Sequence, residues 1–253
     1  MESRRPSTLI VSVQRALRLL EATSLHATGA PAKVLARDAG LPLGTAYHLL
    51  RTLTYEGYLR RLDDGAFVLG DRVDGLLAEG RFQTALARAR PALMALRDAT
   101  AAAAYLARYG DGEITVVEIV DGPKTPRVDI WVGFQEAGHA TAIGKSVLAS
   151  LDPPARRDYL ARHPLADLTP RTITDRDLLL HELEADGPAG PAFDREEYAL
   201  GTVCAAMPVA DGSGVGAVGV SARVERLPEL ERGAAPWLAL TARRVARAFA
   251  LTI

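Results

Sequence analysis

The sequence predicts an α+β protein: an N-terminal winged helix-turn-helix, a linker helix, and a C-terminal α/β sensor domain. Three observations lead there. Residues 33–69 read as helix, tight turn, helix and two-stranded hairpin. Residues 70–99 keep a mostly helical apolar spacing. From Tyr105 onward, apolar runs of strand length bracket a block of helices. The expected boundaries are 1–72, 73–99 and 100–253.

The first helix should open at Ser12, whose hydroxyl can cap an orphan backbone N–H. Val13, Ala16, Leu17 and Leu20 then repeat as one buried face, with Arg15 and Arg18 turned to solvent. Thr28, Gly29, Ala30 and Pro31 end that element, and Pro31 suits the first turn of the next. The second helix covers residues 32–39, with Val34, Leu35 and Ala39 inward and Gly40 as its left-handed stop. The third runs over 44–56 on a stripe of Ala46, Leu49, Leu50 and Leu53. Its other face carries Thr45, His48, Arg51, Thr52 and Tyr55. These are side chains that bond base edges and phosphates, as a recognition helix in the major groove requires. Asp63-Asp64-Gly65 between alternating residues marks the hairpin tip, and Arg60 and Arg61 beside it are placed for phosphate contact.

Charge agrees in sign. Residues 1–72 hold ten Lys/Arg against seven Asp/Glu, net +3, and the rest of the chain carries −4. No run of about 18 apolar residues exists, so no membrane span is expected. The polar start (Glu2, Arg4, Arg5, Pro6) argues against a signal segment, and a single cysteine fits a reducing cytoplasm.

In the linker, Val73, Leu76, Leu77, Phe82 and Leu86 give an amphipathic pattern broken at Gly75 and Gly80, and Pro91 restarts a helix through Leu93 and Leu96. Such a linker suits a dimer contact. Beyond it, strands are expected at 104–108, 114–120 and 127–132, helices at 144–150, 155–162 and 174–185, and a second strand pair at 203–208 and 215–222. A last helix covers 236–251. This order implies a mixed or antiparallel sheet. Gly144 at a helix start offers N–H groups to an anion, Ser221 can donate to a carboxylate, and Asp194 can orient a hydroxyl, repel a second negative charge, or cap a helix containing Glu196 and Glu197. Lys145 reads as a surface or helix residue, and Trp131 and Phe134 as core rather than pocket lining.

Several segments taken in order resemble the IclR family of bacterial transcriptional regulators, over roughly residues 9–253. They are Leu41-Pro42-Leu43-Gly44-Thr45-Ala46-Tyr47-His48-Leu49-Leu50 with Gly57-Tyr58-Leu59, Gly138-His139-Ala140-Thr141-Ala142-Ile143-Gly144-Lys145, Leu168-Thr169-Pro170-Arg171-Thr172-Ile173-Thr174, and Asp194-Arg195-Glu196-Glu197 with Cys204-Ala205-Ala206-Met207-Pro208-Val209. The resemblance implies a GAF-like effector domain for a small molecule, such as an organic acid or aromatic metabolite. It implies ligand contacts at Ala142, Ile143, Gly144, Asp194, Cys204 and Ser221. It also implies double-stranded operator DNA as partner, homodimers through the DNA-binding halves, and tetramers through further contacts, with repression favoured over activation. Where many members carry a polar residue two before Ser221, this chain has Gly219. Where many carry Tyr it has Pro191, and His48 stands where Arg is common, so ligand class and base preference do not transfer.

Two other classes stay open on the residues alone. One is an enzyme, a Cys204-dependent hydrolase with His139 as base, fused to an interaction module. The other is an architectural DNA binder without an effector. The five histidines show no metal-ligand spacing, no phosphate loop is present, and no cofactor is expected.

Overall fold

The computed structural model describes residues 8–127, 134–186, 190–210 and 215–251. The chain divides into two compact units, residues 1–81 and 82–253.

The first unit holds α1 (Val11–Ser24), β1 (Ala30–Pro31), α2 (Ala32–Asp38), α3 (Leu43–Tyr55), β2 (Leu59–Arg61) and β3 (Ala66–Leu69). Its core is Leu19, Leu35, Ala46, Leu50, Leu53, Leu59 and Phe67. Gly40, the expected helix stop, and Gly65, at the expected hairpin tip, have positive φ, at 65° and 84°, as does Gly57 after α3, at 78°. At the tip, Ala66 N–H donates to Asp64 Oδ1 at 2.9 Å, closing an Asx turn. A short third strand, β1, adds to the hairpin on β3.

The first helix departs from expectation. It begins at Val11 with Ile10 as N-cap, so Ser12 lies inside it and caps nothing. Val13 and Leu17 are 52% and 53% exposed, while Leu19, Ala22 and Thr23 are buried. Ala16 and Leu20 do pack against this core, so the inward stripe is the expected one rotated by about a third of a turn. Both stripes have helical spacing, and only the position of α3 and the hairpin selects between them.

Helix α4 (Asp71–Thr100) contains the boundary between the units and is continuous, with neither a break at Gly75 or Gly80 nor a restart at Pro91. Pro91 is exposed, so the carbonyl that loses its partner faces water, and Ala89, Leu93 and Leu96 anchor that stretch in a core.

In the second unit, β4 (Ala103–Gly110), β5 (Glu113–Val120), β6 (Ala192–Arg195), β7 (Thr202–Ala210) and β8 (Val215–Arg223) form a wholly antiparallel sheet in the order β5-β4-β8-β7-β6. The second part of α4 and α8 (Leu227–Ala250) cover one face through Leu93, Leu96, Leu230, Leu238 and Val245. The other face packs against α5 (Ala142–Ser150), α6 (Pro153–Arg162) and α7 (Arg176–Asp186). Helix α8 begins nine residues before the expected Pro236, which it carries inside on an exposed face. Strand β6 was not expected at all. Of the strand anticipated over 127–132, only Arg127 is described, and it is not in a strand. Trp131, the side chain of Phe134 and the turn Asp211-Gly212-Ser213-Gly214 lie outside the described residues.

Candidate nucleic acid interface and effector site

Helix α3 sorts its residues by face. Ala46, Leu50 and Leu53 are buried, whereas His48, Arg51, Thr52 and Tyr55 are exposed and Thr45 is half-buried at the first turn. Thr52 Oγ1 donates to His48 O at 3.1 Å, so its hydroxyl proton is spent on its own helix. Tyr47, 54% exposed and one turn before Arg51, joins this face and was missed. An aromatic at that position reads equally as core until the buried stripe is known. On the wing, Arg60 and Arg61 are exposed in register with Val68 and Phe67, and the Arg61 guanidinium lies 5.8 Å from the Phe67 ring.

In the second unit the register assembles three of the effector candidates. Asp194 pairs with Cys204, Cys204 with Ser221, and Ser221 with Ala103, so the three side chains form one row across β6, β7 and β8. Cys204 packs with the core on the α5 face, which places the row on that side. Asp194 and Ser221 are buried and Cys204 is partly exposed. The Ser221 hydroxyl meets the Tyr105 hydroxyl at 2.9 Å. Tyr105 pairs with Gly219, and a Cβ at 219 would stand 2.8 Å from Ile143 Cγ1. Glycine there therefore lets Ile143 of α5 lie on the sheet. Ala142, Ile143 and Gly144 are all buried beneath this packing.

Gly144 does not offer an open helix end. Its N–H donates to the Thr141 N-cap hydroxyl at 3.0 Å, and its Cα lies so close to the Gly138 backbone that no Cβ fits. The close approach, rather than anion binding, explains the glycine.

Lys145 lies in helix α5, as one of the two expectations had it, but not at the surface: it is 0% exposed. Its Nζ donates to Glu182 Oε1 and Glu197 Oε1, both at 2.6 Å, and to Phe193 O at 3.1 Å. Asp194 Oδ1 accepts the Glu197 N–H at 2.7 Å and the Tyr198 N–H at 3.3 Å, so it caps a bend after β6 and no helix. The Thr169 and Thr172 hydroxyls donate to Glu196 O at 2.7 Å and Glu197 O at 2.6 Å. Arg171 pairs with the Glu196 carboxylate. These bonds hold Glu196 at φ 64°. Segments separated by more than 20 residues thus lock the bend that aims Asp194.

Burial pushes the Asp194 carboxyl up to about 7, with the Glu197 charge adding to it and backbone donors opposing. The folded state therefore holds this proton where an unfolded Asp, near 3.8, has lost it. That stabilisation is present in acid and is lost as pH rises from about 4 to about 7. Asp194→Asn keeps the accepting oxygen and cannot ionise. Its stability relative to the parent should rise by about 2 kcal/mol between about pH 5 and pH 8. Denaturant unfolding at the two pH values measures this, and a parallel pH dependence in both proteins would refute it.

Cys204 and His139 do not have the character of a nucleophile and its base. Burial, then Asp194, raises the thiol well above its ordinary value, so it stays protonated. His139 Nε2 bonds Ala166 O at 3.0 Å, and burial lowers its pKa. Among the described residues no cluster of three or more His, Cys, Asp or Glu is placed to hold a metal ion, and no helix is long and apolar enough to cross a membrane.

Known proteins match both units. The IclR helix-turn-helix domain matches residues 12–63, and the bacterial transcriptional regulator IclR C-terminal domain matches residues 83–250. The glycerol operon regulatory protein of Streptomyces griseus is 34% identical over 76% of this chain and 77% of its own. Among solved structures, the IclR of Thermotoga maritima has a TM-score of 0.60 at 22% identity, covering 94% of this chain and 98% of its own. An IclR homologue of Microbacterium hydrocarbonoxydans, solved with 4-hydroxybenzoate, has a TM-score of 0.57 at 23% identity, covering 94% and 98%. The chain belongs to the IclR family of bacterial transcriptional regulators, with a helix-turn-helix DNA-binding domain followed by an effector-binding domain.

Proposed function

We propose that the protein is a metabolite-responsive regulator that reads its operator with α3. Thr45, His48 and Arg51, with Tyr47 beside them, contact base edges in the major groove. Thr52, Tyr55 and the wing residues Arg60 and Arg61 contact the backbone. The observation that carries this is the division of α3 into a buried apolar face and an exposed face of hydrogen-bonding and cationic side chains. A homodimer presents two such helices to successive major grooves of a pseudo-palindrome. The effector binds the α5 face of the second unit against Ala142, Ile143, Gly144, Asp194, Cys204 and Ser221. It shifts DNA affinity by its difference in affinity between two states. Repression and activation use this same coupling with opposite sign.

The test is fluorescence anisotropy with the intergenic DNA beside the gene against a scrambled duplex, across a salt series. Specific binding with a steep salt slope is expected. Arg51→Ala should weaken it by roughly 10- to 100-fold with the fold intact. Operator affinity unchanged in Arg51→Ala would remove α3 from the interface.

A further inference from the structure

We infer that Leu43 and Tyr47, an exposed apolar row on α3 with the bare backbone of Gly44 beside it, read thymine 5-methyl groups in the major groove, so that each operator half-site carries thymines under the first turns of the helix. This rests on the proposed role of α3 in operator reading and names what that helix selects.

Leu43 opens α3 directly after its N-cap, Pro42. It is 42% exposed, and Tyr47, four residues on, is 54% exposed. Residues four apart stand one above the other on a helix surface, and this row continues into the exposed Arg51. The core of the first unit takes Ala46, Leu50 and Leu53 from α3, with Leu49 packed against it, and leaves Leu43 and Tyr47 outside. Two large apolar side chains therefore stand beside Thr45 and His48, in the N-terminal turns that a recognition helix puts against base edges. The first turn carries no acidic side chain to repel the duplex. A second protein chain seated on this row would cover the recognition helix, so the occupant that suits a DNA-binding domain here is the duplex itself.

Gly44 supports this independently. It lies inside α3, is exposed, and is not among the glycines with positive φ. A Cβ at this position would meet nothing within 4 Å. Neither the backbone conformation nor the packing of the unit requires glycine, which is a poorer helix former than alanine. Its missing side chain instead opens the surface between Leu43 and His48 to a close approach by the duplex. The apolar group that a base edge presents in the major groove is the thymine methyl, and the rest of the pattern is hydrogen-bond donors and acceptors. Four residues of helix rise about 6 Å and successive base pairs about 3.4 Å, so Leu43 and Tyr47 meet thymines within a run of about three base pairs.

The test starts from duplexes that the full chain selects out of a random library. Fluorescence anisotropy then compares the selected duplex with copies carrying deoxyuridine for thymine, one position at a time. Uracil keeps the pairing and the O4 acceptor and lacks only the methyl group. One buried methyl is worth about fourfold in affinity, so at least one such exchange per half-site should weaken the parent by about three- to fivefold, and two together by about tenfold. Leu43→Ala and Tyr47→Ala should each still prefer the selected duplex to a scrambled one, yet become indifferent to one of these exchanges, a loss of coupling that misfolding cannot imitate. Arg51→Ala should weaken binding and keep the whole deoxyuridine penalty. Gly44→Ala should hold or raise the unfolding midpoint while weakening operator binding by at least about fivefold. Selected half-sites without thymine, or a parent indifferent to every deoxyuridine, overturn the methyl reading while α3 keeps its role through Arg51→Ala. A penalty that persists in both Leu43→Ala and Tyr47→Ala also overturns it. Selection of no preferred sequence, or parental affinity in Arg51→Ala, overturns the role of α3 and this inference together.

Discussion

Replacing Lys145 with Met is expected to destabilise the second unit by about 3–5 kcal/mol, because it leaves Glu197 buried with no counter-charge. Met matches the length of the stem, so loss of packing contributes little. The loss should shrink in acid. Burial already raises the Glu197 carboxyl above its ordinary range even with Lys145 beside it, and without the ammonium it rises further. The single variant should therefore lie closer to the parent at about pH 5 than at pH 8. Adding Glu197→Gln to Lys145→Met should restore part of the lost stability at pH 8. Chemical denaturation of the four proteins of that cycle gives the coupling directly. A Lys145→Met protein as stable as the parent at pH 8 would mean that the network contributes no more than an exposed ion pair.

Gly144→Ala is the second large effect. A Cβ there falls on the carbonyl and Cα of Gly138, which are backbone and cannot rotate aside. Gly138 has little room of its own, since its outer side is closed by the Tyr159 hydroxyl and Ile114. The segment before α5 must move off the helix or α5 must lift from the sheet, at about 3 kcal/mol or more. Ile143, seated on Gly219, shifts with it. The expected result is a lowered unfolding midpoint together with loss of effector binding. Near-UV dichroism and calorimetric titration of the variant check the two parts. A Gly144→Ala protein with parental midpoint would show that this close approach relaxes freely.

Much of the first unit was legible because its signals are local. Gly40, Gly57 and Gly65 sit at left-handed positions, and Asp64 closes its own turn within two residues. The apolar stripe of α3 is set by spacing within one helix, and the opposite face follows from it. Helix α1 was misread for the complementary reason: two apolar stripes have equal local claim, and Val13 and Leu17 lost to Leu19 and Ala22 only through packing. Breaks were also over-read. Pro91 and Pro236 are costly in a helix, yet α4 and α8 run through them because buried residues on either side anchor the stretch, while Gly75 and Gly80 cost less and stand in a part of α4 with no buried residue.

The candidate effector site divides in the same way. Resemblance placed Ala142, Ile143, Gly144, Asp194, Cys204 and Ser221 together, but not what each does. The role of Gly144 became clear only from the Gly138 backbone, and that of Asp194 from a strand, β6, too short and polar to show a period. Tyr105 was invisible as a site residue, since an aromatic in an apolar strand reads as core until β8 brings Ser221 to its hydroxyl. The chain alone determined element types, the module order and the polar face of α3, all properties of residues near each other in sequence. Tertiary structure alone decided which stripe of α1 is buried, that Lys145 is an internal cation between two carboxylates, and that Asp194, Cys204 and Ser221 share one row. Those depend on strand register and on contacts across tens of residues, whose free energy exists only once the sheet has formed.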